Sequence, residues 1–211
     1  MALTKVIGNG LGTLGDGTAN DTKIVFDGNA QDYHIGLDDS ADTLVIGKGS
    51  ALGTTTSMSF DENGIITKPL QPAFNATVTS AFTLTVGSYQ DVVFGTERFD
   101  QNADYDNSNG IFTAPVTGRY LFTTSLYLFN SLDTAASYYY MRLNTSNETV
   151  DVYFSTAQFL NEDTNGWNFQ VSSVQDMDAS DTAKIQLYQV GGSAQTQIAA
   201  GHSNYTGALI C

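Results

Sequence analysis

The run Gly118–Asn130, Gly-Arg-Tyr-Leu-Phe-Thr-Thr-Ser-Leu-Tyr-Leu-Phe-Asn, constrains the fold more than any other stretch. Its apolar residues follow a period of two. Tyr120, Phe122, Leu126 and Leu128 fall on one face of an extended strand, and Leu121, Tyr127 and Phe129 on the other. Apolar residues on both faces predict burial on both, by an opposing sheet and by another subunit. Strands are also predicted over Phe74–Val86, Tyr89–Phe99, Ser137–Leu143, Thr149–Phe159, Gly166–Met177, Ala183–Val190 and Asn204–Ile210. Asn144–Glu148 reads as a hairpin turn, after which Val150, Val152 and Phe154 face in and Asp151 and Tyr153 face out. Strands at this spacing, without helical periodicity, predict an all-β sandwich or jelly roll.

The composition shifts at Pro69–Pro72. Before it, short apolar islands such as Lys23–Phe26, Tyr33–Ile35, Leu44–Ile46, Met58–Phe60 and Ile65–Ile66 stop at Asp27-Gly28, Asp38-Asp39, Gly47-Lys48-Gly49 and Glu62-Asn63-Gly64. Such islands predict short strands joined by tight turns. About 70 residues of this kind bury little apolar area alone, so neighbouring chains are expected to stabilise them as a trimeric β-stalk; the alternative is a glycine-rich flexible arm.

Eight Lys+Arg against 22 Asp+Glu give a formal charge of −14. Phosphate neutralisation needs clustered cations, so nucleic-acid binding through a basic surface is not expected. Anionic membranes should repel the chain, and without a run of about 18 apolar residues no membrane insertion is expected. Met1–Lys5 carries no long apolar segment, so no secretory signal is expected. The lone cysteine, Cys211, allows no intrachain disulfide, and His34 and His202 belong to no metal-spaced pair. Metal-protease, P-loop and nucleophile-elbow motifs are absent, so no enzyme activity is expected; paired carboxylates cutting a glycan remain the low-ranked alternative.

From Phe94 the chain reads Phe94-(5)-Asp100-(4)-Tyr105-(6)-Phe112-(5)-Gly118-Arg119-Tyr120-Leu121-Phe122, and it ends Tyr205-Thr206-Gly207-Ala208-Leu209-Ile210. These spacings resemble the globular head of complement component 1, subcomponent q, a TNF-like trimeric jelly roll. The family carries one more aromatic where this chain has Thr124. The resemblance covers Pro72–Cys211 and implies a TNF-like jelly-roll β-sandwich that forms homotrimers. Phe94, Asp100, Tyr105, Phe112, Gly118, Tyr120, Phe122, Tyr205 and Gly207 would carry fold and assembly, not chemistry. Gly118 is expected to enter its strand where a positive φ would penalise a Cβ.

The N-terminal text, Met1–Val6, Asp27–Ser40 and Gly47–Ser50, resembles fibre and tail-associated proteins of bacteriophages, especially marine ones. It implies an attachment segment at 1–22 that joins other virion proteins, a glycine-rich β stalk at 23–71 and a head at 72–211. The chain would then be an extracellular virion component, made in the host cytoplasm, whose head contacts a host surface glycan or protein. A purely structural decoration of the particle is the other reading.

Three local features are candidate sites. The loop Asn161, Glu162, Asp163, Asn165 with Trp167 is a candidate surface-binding tip, with a buried Trp as the alternative. Asn102, Asp104 and Asp106 place oxygens at alternate positions, as at the start of a calcium loop. Tyr105 and Ile111 replace the turn glycine and bidentate Glu of that pattern, so a polar loop is the favoured reading and no other cofactor is expected. Tyr138-Tyr139-Tyr140 offers rings for a sugar, although core and interface packing is the more ordinary use.

Overall fold

The computed structural model describes residues 14–156, 162 and 164–211. The chain divides into two compact units, Met1–Leu70 and Gln71–Cys211. The first holds β1 (Thr22–Phe26), β2 (Tyr33–Asp38), β3 (Thr43–Lys48), β4 (Thr56–Phe60) and β5 (Ile66–Thr67) in one antiparallel sheet, paired in sequence order. The register sets Ile24, Ile35, Ile46 and Met58 opposite one another, and beside them Leu37, Leu44, Phe60 and Ile66. This aliphatic ladder lies on one face, and much of it is exposed. The other face carries His34, Gly36, Val45 and Gly47, all buried. Strand β1 begins one residue inside the segment expected to serve attachment, and residues 1–13 of that segment lie outside the described residues.

The second unit holds β6 (Ala73–Thr77), β7 (Phe82–Thr83), β8 (Gln90–Asp91), β9 (Thr96–Asp100), β10 (Tyr105–Asp106), β11 (Ile111–Thr113), β12 (Gly118–Leu132), β13 (Tyr138–Thr145), β14 (Thr149–Ser155), β15 (Thr164–Met177), β16 (Thr182–Val190), β17 (Gln197–Ile198) and β18 (Asn204–Leu209). They form two sheets. One runs β7-β17-β12-β18-β6-β9 with β15 also on β12; the other runs β10-β11-β16-β13-β14 with β8 also on β16. The inner faces meet in one apolar core. Tyr120, Phe122, Leu126 and Leu128 of β12 lie fully inside it, while Leu121, Tyr127 and Phe129 are half-buried on the outer face. The result is an all-β, TNF-like jelly-roll sandwich.

Two expected strands are broken. Phe74–Val86 and Tyr89–Phe99 cannot be continuous, because the chain changes sheets within them. Phe82–Thr83 pairs with β17, Gln90–Asp91 pairs with β16 in the opposite sheet, and Thr96–Asp100 returns to pair with β6. The chain has crossed by Val86, which bridges Gln189 of β16; Gly87 turns there at φ +83°, its amide donating to the carbonyl of Gln189 at 2.9 Å. The hairpin turn is also tighter than expected. Asn144 and Thr145 continue β13, and the amide of Thr145 donates to the carbonyl of Glu148 at 2.9 Å. The second arm ends at Ser155; the rest of the expected strand falls partly outside the described residues.

Candidate functional site

The spaced aromatic residues of the sequence converge in the core of the second unit. Phe74 and Tyr105 stack at 4.5 Å, Phe74 and Phe112 at 5.3 Å, and Phe122 and Tyr205 at 5.9 Å. Tyr205 also meets Phe74 edge-on at 5.0 Å and Phe94 at 5.5 Å. Each such ring, fully buried, contributes about 1.5–3 kcal/mol through the area it removes from water. Tyr105 donates its hydroxyl to the carbonyl of Phe94 at 3.2 Å, and Tyr120 to that of Val116 at 2.7 Å. Burial pushes the phenols of Tyr105 and Tyr205 well above their ordinary value, so both stay neutral. Thr124, where the related pattern has an aromatic, is buried and donates Oγ1 to the carbonyl of Asn204 at 2.6 Å.

The two glycines of this set answer to close approach. Gly118 does not lie in the left-handed region, contrary to the expectation from sequence. A Cβ there would stand 2.7 Å from the carbonyl oxygen of Cys211 and 2.7 Å from Cδ1 of Leu209. A Cβ on Gly207 would strike the rings of Phe74 and Phe122.

The acidic loop after β9 forms turns from its own side chains. Asp100 accepts from the amides of Asp104 and Tyr105 at 3.3 and 3.1 Å. Asn102 donates to Asp104, and Asp106 accepts from Ser108 and Asn109. Among the described residues no three His, Cys, Asp or Glu side chains are grouped to hold a metal ion. These hydrogen bonds give Asn102, Asp104 and Asp106 a role in shaping the turn.

Of the candidate tip loop, Asn161 and Asp163 lie outside the described residues. Glu162 is exposed. Asn165 belongs to β15, not to a loop, and Trp167 lies on that strand as the expected Gly166–Met177 has it, because Thr164–Met177 pairs with β12 along nearly its whole length. Trp167 is half-buried and stacks on Phe154 at 4.4 Å, against the core.

The most distinctive exposed surface is the outer face of the β16-β13-β14 sheet. Register places Tyr153, Tyr140 and Tyr188 side by side across three strands. Their ring centroids are 5.9 Å apart from Tyr153 to Tyr140 and 6.3 Å from Tyr140 to Tyr188. Tyr89 extends the row at 4.8 Å from Tyr188, and Tyr138 adjoins Tyr140 at 6.0 Å. One step along the strands lies a polar row. Arg142 donates twice to Asp151, at 2.7 and 2.8 Å. Asp91 accepts from Lys184 at 2.8 Å and Gln186 at 2.7 Å. The guanidinium of Arg142 also lies 4.1 Å from the ring centroid of Tyr89.

Its hydrogen bond to Arg142 holds the Asp151 carboxyl below its ordinary range. At Asp91 burial pulls the other way, but the bonds from Lys184 and Gln186 prevail and lower it as well. Both carboxylates are therefore charged at neutral pH, and each is paired to a cation. Sequence reading singled out Tyr138–Tyr140 and the outward Tyr153. It missed Tyr188, whose only signal is an outward position on β16 beside β13, and Tyr89, which precedes β8 outside any strand.

Fold and surface together define a TNF-like jelly-roll domain, with a second, smaller β unit ahead of it. Residues 73–210 match the C1q domain, and the chain belongs to that family. The globular domain of a zebrafish complement 1qA protein is similar in structure, with a TM-score of 0.51 and 20% identity, covering 67% of this chain and 98% of that one. Murine APRIL matches at a TM-score of 0.48 and 8% identity, over 66% of this chain and 99% of its own. The Eiger TNF of S. frugiperda matches at 0.45 and 11%, over 67% and 92%. No curated protein matches the chain.

Proposed function

We propose that the chain is a homotrimeric appendage of a bacteriophage particle, a recognition module whose C1q-type head contacts the host cell surface. In this reading the N-terminal residues join other virion proteins, and the protein reaches the outside on the particle. The N-terminal text that resembles phage fibre proteins supports it, as does membership of the C1q family. No metal or catalytic cluster enters it; contact alone, repeated over several heads, would give tight attachment.

The observation that carries this reading is the contrast between the two units. The head has a complete two-sheet core, whereas the N-terminal sheet leaves one apolar face open. Ile24, Phe26, Leu37, Leu44, Ile46 and Ile66 on that face are 36–60% exposed. An apolar patch of several hundred Å² marks an interaction surface, and a stable interface buries about 800 Å² per partner. Second and third copies suit it, because among the described strand residues Lys48 is the one charged side chain of the ladder face, while Asp27, Asp32, Asp38, Asp39, Asp42, Asp61 and Glu62 lie at its turns and strand ends. Copies can therefore meet there without setting carboxylate against carboxylate.

Light scattering of the full chain should return the mass of three copies, and purified protein at saturating concentration should block adsorption of a particle that carries it. A monomer would overturn the assembly. A trimer that fails to compete would make the chain a decoration of the particle with no receptor.

A further inference from the structure

We propose that the outer face of the β16-β13-β14 sheet is a glycan platform, on which an uncharged pyranose polymer lies along Tyr153, Tyr140, Tyr188 and Tyr89 with its hydroxyls toward the neighbouring polar row. This deepens the recognition reading by naming the surface and the ligand class. The tyrosines are not needed by the sandwich. On β13 the core is supplied by Tyr139, Met141 and Leu143, which alternate with Tyr138, Tyr140 and Arg142. Yet Tyr89, Tyr138 and Tyr153 keep 39%, 39% and 66% of their surface in water. Five tyrosine rings gathered on one face, rather than scattered singly, mark a ligand surface.

The chemistry of the two rows selects a sugar. A pyranose has faces of polarised C–H bonds, which suit the negative faces of aromatic rings, and edges of hydroxyls, which need donors and acceptors. The tyrosine row supplies the first and the row Asp151-Arg142-Gln186-Asp91 the second. These polar groups already hold one another, so little side-chain freedom is lost when a hydroxyl joins them, and tyrosine itself has few rotamers to freeze. Arg142 with Asp151 and Lys184 with Asp91 cancel locally, so the platform is neutral on a chain of −14. An anionic polymer would meet the net charge with no free cation in the row to hold it. A protein partner would bury both ion pairs of the polar row and meet their desolvation cost, whereas a sugar hydroxyl joins them while they stay paired and wet.

The test is affinity electrophoresis of the full chain in gels cast with mannan, laminarin or dextran, and separately with alginate as an anionic polymer. At least one neutral polymer should retard the protein and alginate should not. Tyr153→Ala and Tyr140→Ala should each weaken that retardation at least tenfold; Tyr153 is the more exposed, and an unchanged melting temperature for its variant shows an intact fold. Passage through all three neutral gels without retardation would overturn the proposal. So would retardation that both variants keep, or retardation by alginate alone. None of these outcomes bears on trimer mass or on adsorption competition, so the platform can fail while the particle reading stands, and the reverse.

Discussion

Single residues explain why the aromatic core leaves so little room for change. Gly207 sits where β18 passes between two rings, and a methyl added there would reach to 2.8 Å from Cε1 and 2.9 Å from Cδ1 of Phe122 and collide with Phe74. Both rings are fully buried and held by Phe112, which stacks on Phe74 and meets Phe122 edge-on. Close-packed interiors take up such volume only by strain. Gly207→Ala should therefore cost about 1–3 kcal/mol in urea unfolding, within the range of overpacked cores. A loss below about 0.5 kcal/mol would mean that Phe122 turns aside freely and that the glycine has another reason. The Asp100 carboxylate acts at the same scale, holding two amides of a turn that passes through φ +125° at Asn102 and +58° at Ala103.

At the scale of elements, the outer sheet owes part of its stability to charges that acid removes. Asp151 and Asp91 titrate below their ordinary value of 3.8 when folded. A carboxyl depressed on folding adds stability above its unfolded pKa and loses it as pH falls through the folded one, so the loss belongs below about pH 4. Their side chains keep 32% and 43% of their surface exposed, which places each pair in the surface range of about 0–1 kcal/mol. Asp151→Asn should therefore be slightly less stable than the parent at pH 7 and should lose less between pH 4 and pH 2.5 in urea titrations. An equal acid loss in both proteins would show that the pair adds nothing. Much of the sandwich was legible in the sequence: the alternation of β12 in one sheet, and in the other the β13–β14 hairpin, with the inward Val152 and Phe154 against the outward Asp151 and Tyr153. What was not legible depends on pairing between distant strands. Tyr188 meets Tyr140 because β16 lies beside β13 some forty residues earlier, and no local pattern encodes that choice. The sheet change at Phe82–Asp91 was hidden for the same reason, since alternation continues while the partner strand changes. Asn165 read as loop because its polar neighbours outweighed the pairing of β15 with β12, which starts the strand two residues before the expected Gly166.

At the scale of the whole molecule, the charge of −14 has to be reconciled with association. In the proposed trimer, three copies at −14 each bring −42 together. The resulting repulsion opposes the compact trimer wherever solvent cannot screen it. The Debye length is about 30 Å at 0.01 M salt and about 8 Å at 0.15 M, so at low salt carboxylates on different copies act on one another and at high salt they do not. Salt also weakens the exposed pairs of Arg142 with Asp151 and Lys184 with Asp91, which pulls the other way. That loss is bounded by the small worth of surface pairs, whereas 22 acidic residues against 8 basic ones leave most carboxylates with no cation to lose. The repulsive contribution should win, and the melting temperature should rise between 0.01 M and 0.5 M sodium chloride. For a chain of this length each 1 kcal/mol is worth roughly 2–4 °C, so the rise should be several degrees. The apolar ladder of the N-terminal sheet should add in the same direction, because burying it does not depend on charge and is favoured once the carboxylates at its turns are screened. A flat or falling melting temperature across that range would show that the acidic surfaces of the copies stay farther apart than a trimer packed through this face allows.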